Sequence, residues 1–273
     1  MWPLRWEPSR SRSRATKSLT TFAVVGQACG QFCVESYGMI APGMPQSAAD
    51  LGLHYARVAV SGEPLQAAQY WTTLISLAAV SRESLEDLLK KSLLAVDPAS
   101  AQAEAVRGGI QEFHQHPTDW KAARRFFHDK WYVPKEKPWD AQARPLKWND
   151  NSTPLNGAMV VLALLYGHGD FYRTGQFAMA LGYDADCNAA TACAVVGTRI
   201  GFFALEKLPQ YHMPDRYQNL TRPQLPRESK VSDQAALMLR LSEKLILANG
   251  GQTITIDSKP GYRIQLQAPR RLE

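Results

Sequence analysis

No stretch of this 273-residue chain is long and apolar enough to cross a membrane. The longest apolar run, Ala158 to Tyr166, is about half of what a spanning helix needs. There is no phosphate-cradling glycine loop and no Gly-x-Ser-x-Gly elbow to present a serine nucleophile. No internal repeat runs through the sequence, which sets solenoids and propellers aside. Cysteine is scarce, with one each at 29, 33, 187 and 193. Those spacings match no zinc ligand set, and no His-x-x-x-His accompanies them. Small buried thiols of a reducing compartment are the expectation, with Cys29 and Cys33 one turn apart on a helix. Positive charge is not spread along the chain either. The formal net charge is +6, and residues 1–17 supply +4 of it through Arg5, Arg10, Arg12, Arg14 and Lys17 against Glu7. The nearly neutral remainder gives no reason to expect a nucleic-acid partner.

What is present is helical period. Residues 1–18 alternate serine with arginine, show no hydrophobic period and read as a disordered basic tail. The apolar stretch that follows is short and is broken by Gly26 and Gln27, so a cytoplasmic protein is expected, with a secretory leader as the alternative. From Thr21 the pattern predicts helices over Thr21–Tyr37, Pro45–Ser61, Pro64–Val80, Ser84–Val96, a segment capped by Asp97-Pro98 that ends near Gln115, and one from Thr118-Asp119 to Trp131. Residues 132–152 form the longest irregular stretch, with Asn149-Asp150-Asn151 at its end. Helices then resume at Pro154–Tyr166 and Phe171–Leu181, around a Gly167-His168-Gly169 turn, and from Asp184 to about Glu206. A further helix, capped by Ser229, runs to Leu247. After Gly251 the period changes to two, which predicts a hairpin turning at Pro260-Gly261. The fold class expected is therefore all-α. A helical domain over 19–249 follows the tail, and a β-hairpin extension over 250–273 closes the chain.

The stretch with chemistry in it is Gly182-Tyr183-Asp184-Ala185-Asp186-Cys187. Two carboxylates stand at the head of a helix of small and apolar residues. Asp184 can cap that helix, and both acids complement the positive end of its dipole. The other reading is a site for a hard divalent cation, which carboxylate oxygens suit. An EF-hand is excluded, because Ala189 and Val195 stand where that loop needs glycine and glutamate. Ala189, Cys193, Gly197 and Gly201 recur every four residues and predict a close helix contact, with this helix central.

The ordered set Gly169-Asp170-Phe171, Ala178 to Gly182, Asp184-x-Asp186, and Gly197 with Gly201 resembles the C-terminal half of the ADP-ribosylglycohydrolase family; the resemblance extends more weakly back to Gly26 and on to about Asn249. It implies an all-helical bundle with two Mg²⁺ ions at the active site. It also implies hydrolysis of an N- or O-glycosidic bond to ADP-ribose, carried by a protein or a small molecule. It carries Asp184 and Asp186 over as metal ligands. Many members have threonine or serine at the next position, where this chain has Cys187; a thiol is a poor Mg²⁺ ligand. The family's first Gly-Asp segment and its Thr-Asp-Asp set have no match before Gly26, so an N-terminally incomplete member with at most a partial metal site is expected. Two functions follow from this: a hydrolase of that type with weak or no activity, or a non-catalytic helical protein of the same fold that binds a ligand or a partner.

Overall fold

The computed structural model describes residues 30–132 and 150–272. The expected tail, the apolar stretch after it, Cys29 and most of the irregular stretch, Asn149 included, lie outside the described residues.

Two largely apolar helices form the centre, and each is buried on nearly every side. Helix α3 (Glu63–Ala78) buries all but Glu63 and Gln66, and α7 (Thr153–Gly167) buries every residue. A helix that is hydrophobic all round has nowhere stable to lie except the middle of a core. Around them, in chain order, stand α1 (Glu35–Met39), α2 (Pro45–Ala56), α4 (Leu85–Ser92), α5 (Ala101–Gln115), α6 (Trp120–Trp131), α8 (Phe171–Leu181) and α9 (Ala185–Ile200). Helix α7 packs against α5, α6, α8 and α9, while α3 packs against α1, α2 and α9. The fold is helical, as the sequence indicates.

Glycine permits the closest approaches. A Cβ at Gly109 of α5 would meet Val161 of α7 at 2.7 Å, and one at Gly52 of α2 would meet Thr72 of α3 at 2.6 Å. The four-residue stripe on α9 does less than expected. A Cβ at Gly197 would reach the Phe171 ring at 3.4 Å, an ordinary contact, and the partner is α8. Helix α9 buries one face only and is not central, although α7 is among its neighbours.

Several boundaries shift for local reasons. Residues 30–34 are turn, so the first helix begins at Glu35; Cys33 has a left-handed backbone (φ 80°) and is exposed. The thiols are not buried as expected, since Cys187 and Cys193 are half-buried; Cys33, Cys187 and Cys193 form no disulfide. Helix α5 is capped by Ser100, whose hydroxyl accepts from Ala103 N, rather than by Asp97. Gly201, at φ 77°, ends α9, and α10 (Phe202–Leu205) is a separate turn. Short strands β1 (Tyr217–Gln218) and β2 (Glu228–Ser229) pair before α11 (Val231–Ala248), so Ser229 lies in a strand and does not cap that helix. The hairpin β3 (Gln252–Ile256) and β4 (Lys259–Arg263) turns at Asp257-Ser258, both with positive φ, and Pro260 pairs with Thr255 inside β4.

Beyond the hairpin the chain lies back on the bundle. Gln267 N donates to Gly43 O, its side chain bonds Ser47 and Asn249, and Arg271 pairs with Asp97 at 2.8 Å.

Candidate functional site

The turn between α8 and α9 presents the acids. Gly182 and Tyr183 both take positive φ, at 80° and 60°. Glycine does so freely, whereas tyrosine in this region costs on the order of 1–3 kcal/mol. Packing holds Tyr183 there. The Arg124 guanidinium stacks 4.6 Å from its ring centroid, and His128 Nδ1 lies 3.0 Å from its hydroxyl. Burial pushes the Tyr183 hydroxyl up to about 12. Arg124 also donates to the carbonyl of Leu181, closing the end of α8. The strained turn reverses the chain within two residues and leaves Asp184 at the cap of α9.

Asp184 occupies the cap position, yet its side chain makes no capping bond. Its backbone N–H is held instead by Asn156 Oδ1 at 3.1 Å. That oxygen also accepts from Asn188 Nδ2 at 2.8 Å, while Asn156 Nδ2 donates to the carbonyls of Asp150 and Ser152. Asn188 Oδ1 accepts in turn from Gln31 Nε2 at 2.8 Å. Gln31, Asn156 and Asn188 are all fully buried. Three buried amides thus tie the start of α9 to α7 and to the segment before α1. Gln31 Oε1 is buried without a partner among the described residues.

With its backbone fixed, Asp184 turns its carboxylate toward Asp186 and Cys187. One ligand atom from each of the three lies within 4.8 Å of the others. Asp186 is exposed, and Asp184 and Cys187 are half-buried. Burial raises the Asp184 carboxyl above its ordinary value; the Cys187 thiol, bonded to it, pulls the other way, and Asp186 adds to the rise. Burial and the two acids push the Cys187 thiol up to about 12. The thiol is therefore a proton donor to Asp184, not a thiolate.

Asp184, Cys187, Asn188 and Thr191 share one face of α9, at helical spacing. The segment from 31 to 35 runs along it: Gln31 bonds Asn188, and Glu35 Oε1 accepts from Thr191 Oγ1 at 2.7 Å. Sequence reasoning looked for an N-terminal contribution ahead of Gly26 and missed Gln31 and Glu35. It also missed Asn156, Asn188 and Thr191. A signal was present, because an asparagine in each of two apolar helices needs a buried partner. Asp150, at the end of the irregular stretch, gives its backbone carbonyl to Asn156, and His168, in the Gly167-His168-Gly169 turn, is the left-handed cap residue of α7.

The donor set fits one hard divalent cation, held by the Asp184 and Asp186 carboxylates and completed by water. The sulfur of Cys187 does not suit such an ion, which prefers oxygen ligands. Among the described residues no second cluster of this kind accompanies it.

The ADP-ribosylglycohydrolase family model matches residues 5–243, starting well ahead of Gly26. No curated protein and no solved structure matches the chain. A match over most of the length, on a helical fold, settles the kinship: the protein belongs to the ADP-ribosylglycohydrolase family.

Proposed function

We propose that this chain is a Mg²⁺-dependent hydrolase of slow turnover, cleaving an N- or O-glycosidic bond between ADP-ribose and a protein or small molecule. The observation that carries this reading is the convergence of the Asp184 and Asp186 carboxylates at the open end of α9. When bound, Mg²⁺ would orient ribose hydroxyls and polarise a water. The protein's own groups do the rest. The amide chain Gln31–Asn188–Asn156 fixes the backbone of Asp184, so the acids converge without a large reorganisation on binding. A glycosidic bond breaks through a sugar that carries positive charge, and carboxylates beside it lower that barrier. Glu35 of α1, fixed by Thr191 about two turns further along α9, stands apart from the pair of acids. Slow turnover follows from the ligand set, since two carboxylates and a sulfur hold a hard cation weakly.

The test is calorimetry with Mg²⁺, run beside release of ADP-ribose from an ADP-ribosylated peptide. Weak Mg²⁺ binding and slow release are expected, and both should vanish in Asp186→Ala with an unchanged melting temperature. A parent protein that binds no Mg²⁺ and releases nothing would sink the proposal. The soft sulfur of Cys187 beside the two carboxylates favours a second reading, a non-catalytic binder of the same fold. Binding of ADP-ribose without any release would select it.

A further inference from the structure

Cys187 is the member of the acid cluster for which a Mg²⁺ site has no use. Its Sγ and one oxygen each from Asp184 and Asp186 lie within 4.8 Å of one another. All three residues come from the cap and first turn of α9. The backbone of Asp184 is held by Asn156, and Asn188, next to Cys187, is held by Asn156 and Gln31. Both ends of the set are therefore fixed, and the exposed Asp186 side chain is the one most free to turn. Mg²⁺ demands an octahedron of oxygens at about 2.0–2.1 Å, and a sulfur beside two carboxylates takes up room in that sphere without serving the ion. Zn²⁺ asks for four ligands, and accepts sulfur at about 2.3 Å together with carboxylate oxygen at about 2.0–2.2 Å. Around such a tetrahedron the ligand atoms stand about 3.5 Å apart, so the present spacing has to close by roughly 1 Å. Three protein ligands, with the fourth position open to solvent beside Asp186, make the count of an open zinc centre.

We propose that Cys187 turns this centre toward a sulfur-tolerant cation, so that Zn²⁺ binds through Asp184, Asp186 and Cys187 in preference to Mg²⁺ and displaces it. The thiol proton passes to solvent as the zinc–sulfur bond forms. The proposal rests on the hydrolase reading only in taking the two acids as cation ligands; the preference between ions is set by Cys187. Competition calorimetry on the full chain compares Zn²⁺ with Mg²⁺, and Co²⁺ serves as a spectroscopic probe of the same ligands. Zn²⁺ should bind about 100-fold more tightly than Mg²⁺, and Co²⁺ should give a sulfur-to-cobalt charge-transfer band in the near ultraviolet. Cys187→Ser, checked for folding by its melting curve, should lose the band, weaken Zn²⁺ by about tenfold or more and bind Mg²⁺ no less tightly. Asp186→Ala, at an exposed position, should also weaken Zn²⁺, and an unchanged Zn²⁺ affinity there overturns the proposal by itself. A band or a Zn²⁺ affinity that survives Cys187→Ser belongs to another thiol and overturns it too, as does a parent that holds Mg²⁺ as tightly as Zn²⁺. The two readings fail separately. If Mg²⁺ supports release of ADP-ribose and equimolar Zn²⁺ leaves that release unchanged, the hydrolase reading stands and the zinc preference falls. If nothing is released and the band depends on Cys187, the zinc centre stands where the hydrolase reading fails.

Discussion

Helices α7 and α9 are built from similar residues and end in different places. Both are rich in small and apolar side chains and each carries one asparagine, Asn156 in one and Asn188 in the other. Helix α7 is buried on every side, whereas α9 buries only Asn188, Thr191, Ala192, Val195 and Val196. Side-chain volume decides it. Leu155, Met159, Leu162 and Leu164 project around α7 and fill the space between its neighbours. Alanine, glycine and cysteine on α9 have little to bury, so that helix lies at the edge, where its first turn meets solvent. The edge position is what frees Asp184 and Asp186 for ligands. The centre supplies the rigid partner, because the two asparagines bond to each other across the α7–α9 contact.

The largest test of this contrast is truncation. Leu162→Ala in α7 should cost about 2–5 kcal/mol, since the site is enclosed and cannot collapse. Ile200→Ala, half-exposed at the end of α9, should cost about 1 kcal/mol, because only part of its side chain leaves water. Urea unfolding of both measures the gap, and equal losses would show that α9 is as central as α7.

A smaller effect of opposite signs comes from glycine. Gly109→Ala puts a methyl against Val161, which is fully buried and stiff, and should destabilise by about 1–3 kcal/mol. Gly197→Ala meets only the Phe171 ring at ordinary contact distance. It should stabilise by up to about 1 kcal/mol through helix propensity. Loss of stability in Gly197→Ala would restore the close contact that its four-residue stripe suggests.

Much of the scaffold was legible in the sequence. Apolar period and N-cap residues such as Ser84 and Asp119 mark the helices, and Asp184-x-Asp186 marks the head of α9. What was not legible depends on which chain segments meet. Nothing local says that Glu35 lies opposite Thr191, or that Gln267 docks on Gly43, Ser47 and Asn249. The positive φ of Tyr183 was hidden too, because it is imposed by Arg124 and His128 from another helix. The rank of α7 above α9 was present in side-chain size, but four-residue spacing of small residues pointed the other way.

The smallest effect lies at the exposed end of α9 and sets the site against the core. The Asp184 carboxyl is raised above 3.8, by burial first and by Asp186 after it, so the folded protein keeps that proton to higher pH than the unfolded chain does. Below 3.8 both states are protonated and the group contributes no penalty. As the pH climbs past that value the unfolded chain ionises first, and stability falls until the pH exceeds the raised folded value; above it the loss is constant. Asp184→Asn keeps the shape and removes the ionisation. The melting temperature of the variant relative to the parent should therefore rise between about pH 3 and about pH 7. Partial exposure screens the charges and keeps the effect modest. Added Mg²⁺ at neutral pH should narrow the difference by stabilising the parent alone, because the variant has lost one of the two carboxylates. A pH-independent difference would mean that Asp184 ionises freely, and that the acids at the edge of the bundle are as relaxed as any pair on its surface.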